Sequence, residues 1–497
     1  MNSLIGLLTF LSVLGLQVGR AEVAPPNILW IFTDDHATQA LGAYGGRFES
    51  LNLTPNLDRI AEEGILFERA YVGNSICAPS RATLLTGKHS HKNGKYMNWH
   101  SERFNHDQPQ FQKVFQANGY QTAMVGKIHL AGKLQGFDYW EVLLGQGEYN
   151  DPVFKTEDGK TSYQGHSTDI ITDRAIRWFK QDRDPEKPFM AMVHFKAPHR
   201  GWVPAERIRK RFESREFPEP ETLFDDYEGR GHAARNQDMS ISETMGTEGD
   251  GKAWRPERQA ELLEIDQDDP EALTRLKYQW YMRDYLACVA GVDENIGRLL
   301  DYLDEAFLSD NTVVIYSSDQ GFYLGEHGWF DKRFMYEESF RTPLVARWPG
   351  VIPPGTRSTD LVQNIDNAPT FLDIAGIEVP VDMQGVSLVP LMKGETPEDW
   401  RESLYYHYYE YPGVHNVRRH EGVATQRYKL IRYYGEDVPN GEEWELFDLE
   451  LDPDELTSVY DVPANKEIIN ELKVELQRLR DHYEVVDESP KEKPRRS

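Results

Sequence analysis

The sequence predicts an α/β fold: a mostly parallel sheet with helices on both faces, followed by a smaller α+β unit. Three observations predict it. Short, unbroken apolar runs recur along the chain to about Gly394, as expected of strands buried on both faces. Amphipathic helical stretches separate those runs. Beyond Gly394 the pattern changes to paired strand-like segments and one closing helix.

The elements follow in order. Asn27 to Phe32 (NILWIF) reads as a buried strand. Thr54-Pro55 starts a helix, with Thr at the N-cap and Pro at the first helical position. Leu57, Ile60 and Ala61 give that helix its inner face, and Gly64 ends it. Ile65 to Tyr71 and Thr122 to Val125 read as strands. Thr168 to Lys180 is helical, with Ile171, Ala175 and Trp178 on one stripe. Phe189 to Phe195 is an apolar strand, and Tyr278 to Phe307 gives one or two helices. Thr312 to Ser317 (TVVIYS) is the clearest buried strand, and Pro343 to Ala346 starts another. In the last part, Ser403 to Tyr411, Gly422 to Tyr433 and Glu443 to Leu449 read as antiparallel strands, and Lys466 to Tyr483 as a helix. Glu213 to Pro270 is long, acidic and Gly-spotted, either a loop-rich cap over a site or a surface excursion.

Leu4 to Val18 is apolar but short for a bilayer, and Gly19-Arg20-Ala21 puts small residues three and one before a cut. The expected organisation is a signal peptide over 1–21, an α/β domain over 22–394, an α+β subdomain over 395–486 and a polar, disordered tail over 487–497. Export is expected, to a periplasm or beyond the cell, with no stable membrane span. Lys and Arg total 55 against 82 Asp and Glu, a net charge of −27 that argues against nucleic acid or an anionic membrane as partner. An anionic substrate therefore needs a local island of positive charge. Two cysteines, Cys77 and Cys288, cannot make a disulfide scaffold.

Ligands of parallel sheets bind beyond the carboxyl ends of the strands. Five strand ends here carry polar groups: Asp34-Asp35-His36; Asn74 to Arg81 around Cys77; Lys127 and His129; Lys196 and His199; and Asp319-Gln320. Adjacent aspartates alone suit a helix cap or a solvated turn. With Asp319 and Gln320 after another strand, they form an oxygen-only set suited to calcium or magnesium. Arg81, Lys127, Lys332, His129 and His199 are the cationic set that would hold an oxyanion beside that metal, against the plainer reading of surface salt bridges. Cys77 stands at the start of a helix expected over Pro79 to Leu85, whose dipole would favour an anionic sulfur. Cys288, inside an apolar helical run, reads as a small buried hydrophobe.

Cys77-Ala78-Pro79-Ser80-Arg81, followed by Leu85-Thr86-Gly87, resembles the sulfatase signature. The resemblance to type I sulfatases spans nearly the whole mature chain, through Asp34-Asp35, Gly126-Lys127-x-His129, Pro198-His199, Ser318-Asp319-Gln320-Gly321, Gly325 to Trp329, Asp331-Lys332-Arg333 and Glu445 to Leu449. One departure is Gln320, where many sulfatases have Asn. The resemblance implies an alkaline-phosphatase-like fold. It implies that Cys77 is oxidised to formylglycine (3-oxoalanine) by a formylglycine-generating or anaerobic sulfatase-maturing enzyme. It further implies one calcium ion held by Asp34, Asp35, the residue at Cys77, Asp319 and Gln320. Arg81, Lys127 and His129 would orient and activate position 77, Lys127, Lys332 and His199 would bind the sulfate, and His199 would protonate the leaving alcohol.

Tyr139-Trp140, Gly145 to Tyr149, and Phe224 to Tyr227 with Arg230 resemble the N-acetylglucosamine-6-sulfatase and mucin-desulfating subgroup. That implies a sulfated carbohydrate substrate, with the 6-O-sulfate of N-acetylglucosamine first. The alternatives are another sulfated polysaccharide or aryl sulfate, or a phosphonate or phosphate ester hydrolase of the same superfamily. A non-enzymatic sulfated-glycan binder is a third class. The run from Tyr405 to His420 fits either a sugar pocket or an ordinary strand.

Overall fold

A computed structural model describes residues 24–98, 104–247 and 254–486. The expected signal peptide and the polar tail lie outside the described residues. A ten-stranded sheet runs in the order Thr356–Ser358, Ile65–Phe67, Leu344–Arg347, Thr312–Ser318, Asn27–Thr33, Phe189–His194, Gln121–Gly126, Tyr139–Leu143, Val153–Thr156 and Gly159–Ser162. From Thr312–Ser318 to Tyr139–Leu143 every neighbour is parallel. Leu344–Arg347 runs antiparallel, and so does the hairpin at the far edge.

Side-chain alternation sends each central strand into two cores. Leu29, Ile31, Val193 and Tyr316 pack on one face with Leu57, Ile171 and Tyr285 from helices Pro55–Glu62, Ser167–Arg177 and Pro270–Glu305. Ile28, Trp30, Met192 and Ile315 pack on the other with Leu85, Phe111 and Phe371 from helices Cys77–Thr86, Phe111–Ala117 and Asn367–Ile374. Runs apolar at every position are required by that two-sided burial.

The Tyr278–Phe307 segment is one helix and starts earlier, at Pro270. Asp269 caps it, its carboxylate accepting from the Glu271 and Ala272 amides at 2.9 and 3.3 Å. Ile65–Tyr71 is not one strand: Ile65–Phe67 joins the large sheet, and Ala70–Tyr71 pairs with Val362–Gln363. Gly422–Tyr433 is likewise two strands, His420–Thr425 and Tyr428–Tyr434. They turn without Gly or Pro because the Thr425 hydroxyl accepts from the Tyr428 amide at 2.9 Å. With Ser403–Tyr408 and Glu442–Asp448 they form a four-stranded antiparallel sheet, covered by helix Lys466–His482. Tyr405, Tyr406, Tyr408 and Tyr409 are buried in it, which excludes their rings as an open sugar platform. Within the described residues, no helix is long and apolar enough to cross a membrane.

Candidate active site

Register brings four of the five strand ends to one edge. Thr33 lies opposite Ser318, Phe32 opposite His194, and His194 opposite Gly126. The chain leaving these strands puts Asp34, Asp35, Lys127, His199, Asp319 and Gln320 in one buried region. Helix Cys77–Thr86 is buried at all its positions and delivers Cys77 from its first turn. Asp35, His129, Asp331 and Arg333 take left-handed backbone angles with φ of 69°, 52°, 81° and 104°. Such angles cost side-chain-bearing residues roughly 1–3 kcal/mol each and gather at sites held by their surroundings.

Opposite charges interleave here. Arg81 Nε donates to Asp319 Oδ2 at 3.0 Å, and its Nη1 donates to the Lys127 carbonyl at 2.6 Å. Lys127 Nζ contacts Asp34 Oδ2 and the Gln146 amide oxygen. Lys332 Nζ contacts Asp35 Oδ1 and lies 3.4 Å from Cys77 Sγ. Burial works against the charge of Lys332, but Asp35, Cys77, Asp331 and Asp319 together outweigh it and hold the lysine above its usual pKa. His199 Nδ1 donates to the Arg200 carbonyl at 2.8 Å, which leaves Nε2 facing Asp35 Oδ2 at 3.9 Å. Burial, reinforced by Lys127, holds His199 well below the usual histidine range, and the same two causes act on His129.

Burial pushes the Cys77 thiol up to about 12. The anionic sulfur expected from the helix dipole is therefore not favoured: loss of water outweighs a half-charge at the helix start. As a thiol, Cys77 is a poor nucleophile. Cys288 is buried in helix Pro270–Glu305, as its apolar run indicates.

Asp34, Asp35 and Asp319 offer carboxylate oxygens within 4.8 Å of one another, and Asp34, Cys77 and His199 form a second such group. Asp35 Oδ2 and Gln320 Oε1 are buried without a hydrogen-bond partner. Unpartnered oxygens among converging carboxylates fit a hard cation. As placed, Gln320 turns Nε2 to Asp319 Oδ1 at 2.7 Å; the same amide turned over offers Oε1 to a cation.

Sequence reasoning did not single out several neighbours. Arg200 donates to Asp331 Oδ2 at 2.7 Å and sits 2.6 Å from His415 Nε2; Asn98 Oδ1 accepts from the Ala78 amide at 2.9 Å. Position directly after His199 was the available signal for Arg200; Asn98 carries none. The segment Phe224 to Arg230 braces rather than lines the site. Arg230 pairs with Asp225, and Tyr227 OH donates to the His327 carbonyl at 2.8 Å.

The sulfatase family pattern matches residues 26–377, and that of the N-sulphoglucosamine sulphohydrolase C-terminal region matches 325–482. The chain belongs to the sulfatase family. It is a sulfuric ester hydrolase. This sulfatase is 48% identical to an N-acetylglucosamine-6-O-sulfatase of Bacteroides thetaiotaomicron, over 95% of this chain and 89% of the relative. It is 29% identical to human N-acetylglucosamine-6-sulfatase, over 80% and 69% of the two chains. A solved protein in complex with its substrate D-glucosamine-2-N,6-O-disulfate superposes with a TM-score of 0.88 at 47% identity, covering 94% of this chain and all of that one. A phosphonate monoester hydrolase of Agrobacterium radiobacter, at 20% identity and a TM-score of 0.70 over 92% of this chain and 96% of that one, shares the alkaline-phosphatase-like fold alone.

Proposed function

We propose that this sulfatase removes the 6-O-sulfate of an N-acetylglucosamine-type sugar in a sulfated glycan, with formylglycine at position 77 and one calcium ion. The observation that carries the reading is the placement of Cys77 beside both Lys332 and the converging aspartates. The relatives' names support the sugar. Conversion of Cys77 to formylglycine calls for a maturing enzyme as partner during biogenesis. Once formed, that group would supply a hydrated aldehyde: one hydroxyl as nucleophile toward sulfur, displacing the alcohol oxygen, and a second whose loss of a proton would release sulfate as the aldehyde re-forms. Calcium bound by Asp34, Asp35, position 77, Asp319 and Gln320 would supply positive charge beside the sulfate.

The chain's own residues do the rest. Lys127 and Lys332 face the sulfate oxygens and spread their charge. Arg81 holds Asp319 and the Lys127 carbonyl in place, and His129, kept neutral by burial and Lys127, is assigned with them to orienting position 77. His199, with Nδ1 fixed on a carbonyl, presents Nε2 to the departing alcohol. Sulfate release from N-acetylglucosamine-6-sulfate, galactose-6-sulfate and an aryl sulfate tests the reading. The glucosamine ester is expected to be preferred, and preference for the galactose ester would reject the substrate.

A further inference from the structure

The large sheet continues past its parallel part as a hairpin, Val153–Thr156 and Gly159–Ser162. In register, Val142 lies opposite Lys155, and Lys155 lies opposite Lys160. Opposed residues share a sheet face, as do residues two apart on a strand. Trp140, Val142, Lys155 and Lys160 therefore stand on one face, with Lys155 Nζ 5.8 Å from the centre of the Trp140 ring.

Two lysines placed directly opposite repel each other, which weakens a hairpin. Both are exposed, and no carboxylate pairs with either among the described residues, in a chain that carries 82 acidic side chains. A lysine on an edge strand repels other edges, and that accounts for Lys160 taken alone. It does not account for the cavity beside them. A hollow of about 240 Å³ lies here, lined by Lys95, Asn98, His129, Trp140, Val142 and Lys155 among others. It shares His129 and Asn98 with the active site, and Asn98 holds the amide of Ala78, one residue after Cys77. Ile128, Leu130 and Leu144 complete an apolar wall, so the hollow joins an aromatic and aliphatic surface to a cationic rim.

We propose that this face is a second anion subsite, seating a sugar unit on Trp140 while Lys155 and Lys160 meet a negatively charged substituent other than the ester being cleaved. The ligand class is a glycan with more than one anionic group. This rests on the carbohydrate sulfatase reading above and deepens it. Neutral glycans carrying a single sulfate would leave the lysine pair without a counter-charge.

The test is a binding titration with the otherwise complete Cys77→Ala protein, which holds substrate without turning it over. One probe is a 6-O-sulfated glycosaminoglycan tetrasaccharide carrying uronate and N-sulfate groups, and the other is N-acetylglucosamine-6-sulfate. Adding Lys155→Ala and Lys160→Ala is expected to weaken tetrasaccharide binding about tenfold or more, one charge-assisted contact being worth about that much, and to weaken the monosaccharide far less. Trp140→Leu is expected to weaken the tetrasaccharide as well. Lys187→Ala, an exposed lysine elsewhere, is expected to change neither. Unchanged tetrasaccharide affinity in the double-lysine variant, in a protein that binds the tetrasaccharide, overturns the subsite and leaves the sulfatase reading standing. Binding of neither sugar by the Cys77→Ala parent overturns the substrate reading, and the subsite with it.

Discussion

At the sheet edge, Asp34, Asp35 and Asp319 meet Arg81, Lys127 and Lys332; at the junction with the C-terminal sheet, Glu337 and Glu455 meet Lys429. Both clusters withdraw opposite charges from water, and both join residues far apart in sequence. They differ in how the charges are arranged. In the second, Lys429 Nζ lies 2.8 Å from both Glu337 Oε1 and Glu455 Oε1. Tyr71 OH donates to Glu337 Oε2 at 3.1 Å, and the Glu337 amide donates to Glu455 Oε2 at 2.6 Å. One lysine holds both glutamates, and the cluster closes on itself as a brace. In the first, three carboxylates converge within 4.8 Å of one another beside their cations, and Asp35 Oδ2 is left without a hydrogen-bond partner. Converging oxygens with unfilled bonding capacity mark a place for something else to bind.

The comparison is sharpened most by Cys77→Ala. Turnover is expected to fall by about 10⁴-fold or more, as when a covalent nucleophile is removed. Because the sulfur's hydrogen bond is to Lys332 of the site, the melting temperature should move only slightly in calorimetry. Asp319→Asn comes next: it takes charge from the converging set and from Arg81, so kcat should drop by about 10²- to 10³-fold. Elemental analysis should find less calcium in that variant, and chelation of the parent protein should reproduce the loss. Equal calcium content in the two proteins would place the ion elsewhere.

The smallest effect belongs to the brace. Burial pushes Glu455 from its usual 4.5 up to about 8, with Lys429 opposing and Glu337 adding to the rise. Between those values the folded chain keeps a proton that the unfolded chain releases. The stabilisation is fully present below 4.5 and is lost as pH rises through about 8. The melting temperature should therefore fall from pH 6 to pH 9, and Glu455→Gln should flatten that fall without changing kcat. An equal slope in both proteins would remove Glu455 from the account.

The same contrast explains what was legible in the sequence. Ile28 to Phe32 and Thr312 to Ser317 announce themselves because burial on both faces demands apolar side chains at every position. Asp34, Lys127, His199 and Asp319 follow such runs, so their gathering at one edge could be read before any coordinates. Glu337, Lys429 and Glu455 sit on a short helix, a strand and a turn with no common pattern, and only the folded chain shows their closure. The aromatic run from Tyr405 fitted a pocket or a strand equally, since composition does not say which way a tyrosine faces. The Thr425–Tyr428 turn escaped notice because a threonine hydroxyl does the work usually signalled by Gly or Pro. Cys77 stands at a helix start, as its sequence suggests, but the burial that works against an anionic sulfur there is invisible along a sequence.

The most direct test of the central claim varies the extent of formylglycine formation at position 77. Several preparations of the chain would be made with increasing amounts of a maturing enzyme, the aldehyde fraction measured by mass spectrometry, and sulfate release from N-acetylglucosamine-6-sulfate followed in each. The account predicts a rate proportional to the aldehyde fraction, extrapolating to zero for the unconverted thiol. A rate independent of that fraction would contradict it.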